Sequence, residues 1–281
     1  VVSPVFFTPF KKGIFHSRCR IRKGRKTSFL NSNPWDCRGK GFPAECVGLC
    51  FPNPFRCCYN QEETGSPDQY QGEIHIRLKI ERYMEQMERW PAEGRHILAQ
   101  YDPSSIVVYQ AYKPKIGRFA VDHGYFGGEF RFNRMSWIKP NFLWMMFRSG
   151  WGTKPDQETI LAIHIERSGF DSLLEQAVHS TWNQSLHPDR EAWQKDLRKS
   201  EVRLQWDPDH DPFGQPVKRR AVQLGLRGET LIRYARDWIV EIEDITNFVK
   251  KQKAYVDQGK LDRLETPQET VYPPASVQGR V

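Results

Sequence analysis

The chain has 281 residues, with 42 Lys plus Arg against 34 Asp plus Glu and 38% hydrophobic residues, a balance that suits one or two soluble domains. It is long enough to bury a real core, and no run approaches the ~18 uncharged apolar residues of a spanning helix. A membrane protein is argued against, and the lack of a secretory apolar run near Val1 points to an intracellular, cytoplasmic location.

All six cysteines, from Cys19 to Cys58, sit in the N-terminal segment. Their spacing holds no pair of Cys-x-x-Cys hooks, so no metal site is expected from them. Residues 1–70 carry 11 basic and 5 acidic side chains, a net +6, which leaves 31 against 29 for the rest. Pro and Gly interrupt this segment and no hydrophobic period is sustained, so residues 1–72 read as a disordered basic extension. Lys11, Lys12 and the Arg18 to Lys26 cluster leave a phosphate-contacting arm as the alternative.

Periodic structure begins near residue 73. Ile76, Ile80, Tyr83 and Met87 make a helical stripe that ends at Pro91. Ile106 to Tyr112, rich in β-branched and aromatic residues, predicts a strand. Ile116 to His123 predicts a helix closed by Gly124. Met135 to Lys139 reads as a short strand and Asn141 to Ser149 as a helix stopped at Gly150. Further strands are predicted at Thr159 to Ile165, Glu201 to Trp206, Arg220 to Leu226 and Ile239 to Ile245. Helices alternate with them near Phe170 to His179, Asp189 to Lys199 and Glu229 to Asp237. The fold class is α+β, with residues 73–250 as one globular domain. Residues 251–281 read as a charged run followed by a disordered tail.

Several mechanisms lack their residues. There is no phosphate loop, no Gly-x-Gly-x-x-Gly fingerprint and no His-Glu-x-x-His helix. After Cys58 no thiol nucleophile is available, and no Gly-x-Ser-x-Gly elbow supports a serine hydrolase. Asp207, Asp209, His210 and Asp211 could bind a divalent cation, although Pro208 and Pro212 favour a solvated turn. The centre of the chain threads Phe and Trp residues with Arg134, Lys139 and Arg148. Buried cations need anionic partners, so these three are candidates for holding phosphate or a carboxylate, with ordinary surface charge as the alternative.

Blocks of the chain resemble a known family. They are Ile106-Val-Val-Tyr-Gln-Ala-Tyr112, the stretch from Arg134 to Trp151, Val202-Arg-Leu-Gln-Trp-Asp-Pro208, Gln223-Leu-Gly225 and Trp238 to Thr246. Over residues 94–250 they look like the uncharacterised family catalogued as domain of unknown function 4291, a label without an activity. More distantly, the strand bearing Gln110, the helix after it and His123-Gly124-Tyr125-Phe126 resemble the opening of ADP-ribosyltransferase domains. That resemblance implies a bent, split mixed sheet flanked by helices and gripping NAD, and an activity of NAD-dependent ADP-ribosyl transfer to a nucleic acid or nucleotide acceptor. It places Gln110, Trp137 and Gln223 at the catalytic positions. Gln cannot act as a carboxylate base, so Glu241 or Glu243 would supply that group unless they form the wet face of their strand.

The chemistry itself needs pyrophosphate held and a flat ring stacked. Arg134, Lys139 and Arg148 suit the first task, and Tyr109, Trp137 and Trp144 the second. The competing expectation is a non-catalytic RNA or single-stranded nucleic-acid binder using the same rings and cations.

Overall fold

The computed structural model describes residues 78–273. The predicted extension over residues 1–72 and the tail beyond residue 273 lie outside the described residues.

The fold opens with β1 (Ile80–Arg82), α1 (Tyr83–Arg89), β2 (Gly94–Arg95) and β3 (Leu98–Ala99), then β4 (Ser105–Tyr112) and α2 (Pro114–His123). β5 (Ser136–Ile138), α3 (Phe142–Ser149), β6 (Thr159–Glu166), α4 (Arg167–Gln176) and β7 (Val178–His179) follow. Next come α5 (Arg190–Lys199), β8 (Val202–His210), β9 (Pro216–Leu226), α6 (Gly228–Arg236) and β10 (Ile239–Asp244). The described chain closes with α7 (Thr246–Asp257), β11 (Glu265–Pro267) and β12 (Thr270–Val271).

Two groups of strands make one curled mixed sheet. In the first, β6 lies between β4 and β10, antiparallel to both. In the second, β8 and β9 form a long antiparallel pair, β7 runs parallel to β8, and β9 also carries β5 and β2. A single backbone exchange joins the groups: Tyr109 N–H donates to the Lys139 carbonyl at 2.7 Å, and Lys139 N–H donates back at 3.3 Å. The architecture is α+β.

Burial explains why β4 and β6 read as continuous apolar runs. Ile106 and Val108 of β4 pack in one cluster with Leu161, Ile163 and Ile165 of β6, on the face covered by α4 and α6. Val107 and Tyr109 alternate into a second cluster with Ile160, Ala162, Phe142 and Val249. A sheet covered on both faces has no polar alternation to show. The helix stops obey local chemistry. Gly124 and Gly150 take left-handed conformations with φ of 73° and 60°, and Asn141 caps α3 by accepting from Trp144 N–H at 2.7 Å.

Three expectations need correction. The helix drawn through Ile80 begins only at Tyr83, because Ile80 to Arg82 pair with β11. Asp207 to His210 belong to β8 rather than to a turn; Pro208 is tolerated because β7 pairs with β8 only at Arg203 and Leu204. The body does not end at residue 250. In α7, Val249, Gln252 and Val256 are buried, and Gln252, at 0% exposure, accepts from Glu265 N–H at 2.9 Å. Leu264, Thr266, Glu269 and Tyr272 are buried as well, so residues 251–273 complete the core.

Candidate functional site

A cleft of about 680 Å³ opens where the two strand groups part beyond the Tyr109–Lys139 bridge. β4 contributes Gln110 and Tyr112, β5 contributes Ser136 and Trp137, and the facing wall is Gln205, Asp207 and Gln223 from β8 and β9. Lys139, with Trp144, Phe147 and Arg148 from α3, closes one side, and Asp156 lies in the loop after α3. Its size falls in the range of small-molecule and cofactor sites.

Of the eight side chains proposed from sequence, Gln110, Trp137, Gln223, Arg134, Lys139, Trp144 and Arg148 line this one cleft. Tyr109 does not. Strand alternation turns it to the other face of β4, where it is fully buried and meets Phe142 edge-on at 5.5 Å between ring centres. Its assignment as a ring-stacking cofactor contact is therefore corrected. Glu241 and Glu243 lie on β10, beyond β6; Glu243 sits 2.7 Å from His164 Nε2, and neither lines the cleft.

Among the described residues two carboxylates line the cleft, Asp156 and Asp207, and the turn reading had set Asp207 aside. Gln205 Nε2 donates to its Oδ1 at 2.8 Å and Gln223 Nε2 to its Oδ2 at 2.6 Å. Gln205 and Gln223 are cross-strand partners, so the β8–β9 register itself sets up this clamp. The rest of the acidic run disperses. Asp209 pairs with Arg219 at 2.6 Å, His210 enters a ring stack, and Asp211 closes its own turn by accepting from Phe213 and Gln215 N–H. Among the described residues no group of three or more such side chains could hold a metal ion.

Gln110 is the hub of a second network. Its Nε2 donates to Ser136 Oγ at 2.9 Å and to the Trp137 carbonyl at 3.1 Å, while Oε1 accepts from Tyr234 O–H at 2.8 Å. Both amide hydrogens are committed, so Gln110 positions β5 rather than offering a free donor. Ser136 Oγ also lies 2.9 Å from Tyr112 Oη. Burial pushes the Tyr112 phenol well above its ordinary range, with the Ser136 contact and Arg134 opposing, so it stays neutral.

The cations have the opposite character. Lys139, Arg134 and Arg148 make no ion pair with any described residue. Lys139 is only 4% exposed. Burial, helped by the nearby Arg148 charge and opposed by Asp207, brings its ammonium down to about 8. The aromatic side is equally organised. Trp144, Phe147 and His210 stack nearly parallel, with 3.5 Å between the Phe147 and His210 centres. Trp137 packs against Gly225, where a Cβ would come within 2.9 Å of its ring.

Arg134, Lys139 and Arg148 were legible as an interleaved basic and aromatic block. Asp207, Gln205 and Ser136 were not, although the Gln205–Asp207 alternation would have placed both on one face had β8 been extended through Pro208.

Among the described residues no helix is long and apolar enough to cross a membrane. A search of curated proteins returns no match to the chain. The family model described as domain of unknown function (DUF4291) matches residues 96–272, more than half of the chain and nearly all of the fold just described, and the protein belongs to that family.

Proposed function

We propose that the cleft binds NAD and that the domain is an ADP-ribosyltransferase-like enzyme acting on a nucleic acid or nucleotide acceptor. The observation that supports this reading is the meeting of three cations that pair with no described residue, one doubly clamped carboxylate and a ring-lined wall in a single cleft. Lys139, Arg134 and Arg148 suit the two phosphates: the buried Lys139 ammonium is most favourable when an anion joins it, and the exposed Arg134 and Arg148 forks can reach the phosphate oxygens. When bound, NAD supplies a nicotinamide–ribose bond whose cleavage releases nicotinamide and passes ADP-ribose to the acceptor. Asp207, oriented by both glutamines, suits the task of facing the positive charge that develops at the ribose. Gln110 holds Ser136 and the β5 backbone, and so fixes Trp137.

The nucleic-acid-binding alternative draws less support. It needs several open ring faces for successive bases, where NAD needs one, and Trp144 is buried beside the Phe147–His210 stack while Trp137 lies against Gly225. The test is calorimetric titration of the chain with NAD, together with chromatography for released nicotinamide in the presence of an oligonucleotide. Binding lost in Lys139→Met and release lost in Asp207→Asn are expected. No NAD binding at millimolar concentration overturns the proposal.

A further inference from the structure

A second cleft, of about 380 Å³, lies on the other face of the same β8–β9 pair. Strand alternation separates the two: Gln205, Asp207 and Gln223 face the first, whereas Leu204, Trp206 and Arg220 line the second. Its charge pattern is unusual. Arg95 of β2 and Arg220 of β9 are direct partners in a parallel ladder, and neither forms an ion pair with a described residue. Like charges placed directly opposite on neighbouring strands destabilise a sheet. No Asp or Glu appears among the described residues that line this cleft.

Flat rings accompany the cations. The Arg95 guanidinium sits 6.0 Å from the Trp206 ring centre, and Arg190 lies 5.0 Å over Trp182 on the opposite wall. The indole N–H groups of Trp182 and Trp206 are buried and have no acceptor among the described residues. The lining thus combines two adjacent guanidiniums, two indoles and the polar Asn183 and Gln184.

We infer that this second cleft binds a nucleoside monophosphate unit, its phosphate between Arg95 and Arg220 and its base against the tryptophans. A phosphate relieves the Arg95–Arg220 repulsion and accepts from both forks, and base stacking on indole is tolerant of sequence. The site rests on different residues from those of the NAD proposal, so either can fail alone.

The experiment is titration of the full chain, followed by tryptophan fluorescence, with AMP, with octathymidylate and with inorganic phosphate. Saturable quenching by AMP or octathymidylate is expected, weakened at least tenfold in Arg95→Ala and in Arg220→Ala, and unchanged in Lys250→Ala, an exposed cation that lines neither cleft. AMP matching octathymidylate identifies a free nucleotide as the ligand, whereas tighter octathymidylate binding identifies a strand. Both arginines are exposed and each substitution removes one of two facing like charges, so the variants should melt at or above the wild-type temperature, which is checked in parallel. Absence of saturable binding, binding unaffected by both substitutions, or inorganic phosphate binding as tightly as AMP overturns the inference.

Discussion

Replacing Lys139 by Met should stabilise the protein at neutral pH while removing its affinity for anions in the main cleft. The Lys139 ammonium ionises at about 8 instead of 10.5, and at about 1.4 kcal/mol per pH unit the burial of its charge costs about 3 kcal/mol. Water in the cleft relieves part of that, so a gain of about 1–3 kcal/mol is expected for the isosteric apolar side chain. For a domain of this size that is roughly 2–12 °C in melting temperature. The gain has a pH signature. The folded protein releases this proton before the unfolded chain does, so between about 8 and 10.5 the unfolded state binds more protons and wild-type stability rises with pH. The advantage of Lys139→Met should therefore be complete below pH 8 and vanish near pH 10.5. Urea denaturation of both proteins at pH 7 and at pH 10.5 measures it. A variant less stable than wild type at pH 7, or one with the same advantage at both pH values, refutes the argument that Lys139 is an uncompensated buried charge.

Other substitutions probe the same frame. Gln110→Leu leaves Tyr234 O–H, Ser136 Oγ and the Trp137 carbonyl without their partner, and should cost about 2–4 kcal/mol in chemical denaturation; a loss below 0.5 kcal/mol, roughly the level of an ordinary surface substitution, would contradict the hub role. Gly225→Ala puts a Cβ 2.7 Å from Met135 Sδ and 2.9 Å from Trp137, so about 1–3 kcal/mol and a changed Trp fluorescence maximum are expected. Burial holds the Glu269 carboxyl well above its usual range, against the pull of the Phe142 N–H that it accepts at 2.6 Å. The folded state thus keeps a proton that the unfolded chain has lost, and the stability of wild type relative to Glu269→Gln should fall as pH rises from 5 to 8, read by thermal melts; a rise rejects the assignment.

The seven side chains that share the main cleft come from β4, β5, β9, α3 and the connections beside them; Arg134, Lys139, Trp144 and Arg148 were nominated from local chemistry, and Gln110, Trp137 and Gln223 from the family resemblance. What made the first four legible was composition: cations interleaved with rings in a stretch whose helix boundaries, Asn141 and Gly150, were themselves plain. Tyr109 was misplaced because a strand buried on both faces gives no polar alternation from which to read its facing. Gln252 and Glu269 hid the C-terminal part of the fold for a related reason. Both are polar residues at buried positions, Gln252 Oε1 accepting from Glu265 N–H and Glu269 Oε1 from Phe142 N–H, and such pairing leaves no mark in a hydrophobicity pattern.

Sequence by itself determined the longer elements of the central body and their order, with the helix stops at Gly124 and Gly150, because helix caps, glycine turns and β-branched runs act over a few residues. Tertiary structure alone decided that Gln205 and Gln223 meet across β8 and β9 on Asp207, and that Lys139 sits buried at the Tyr109–Lys139 bridge between the strand groups. Both depend on strand register and closure between residues far apart in the chain, and a local pattern carries neither.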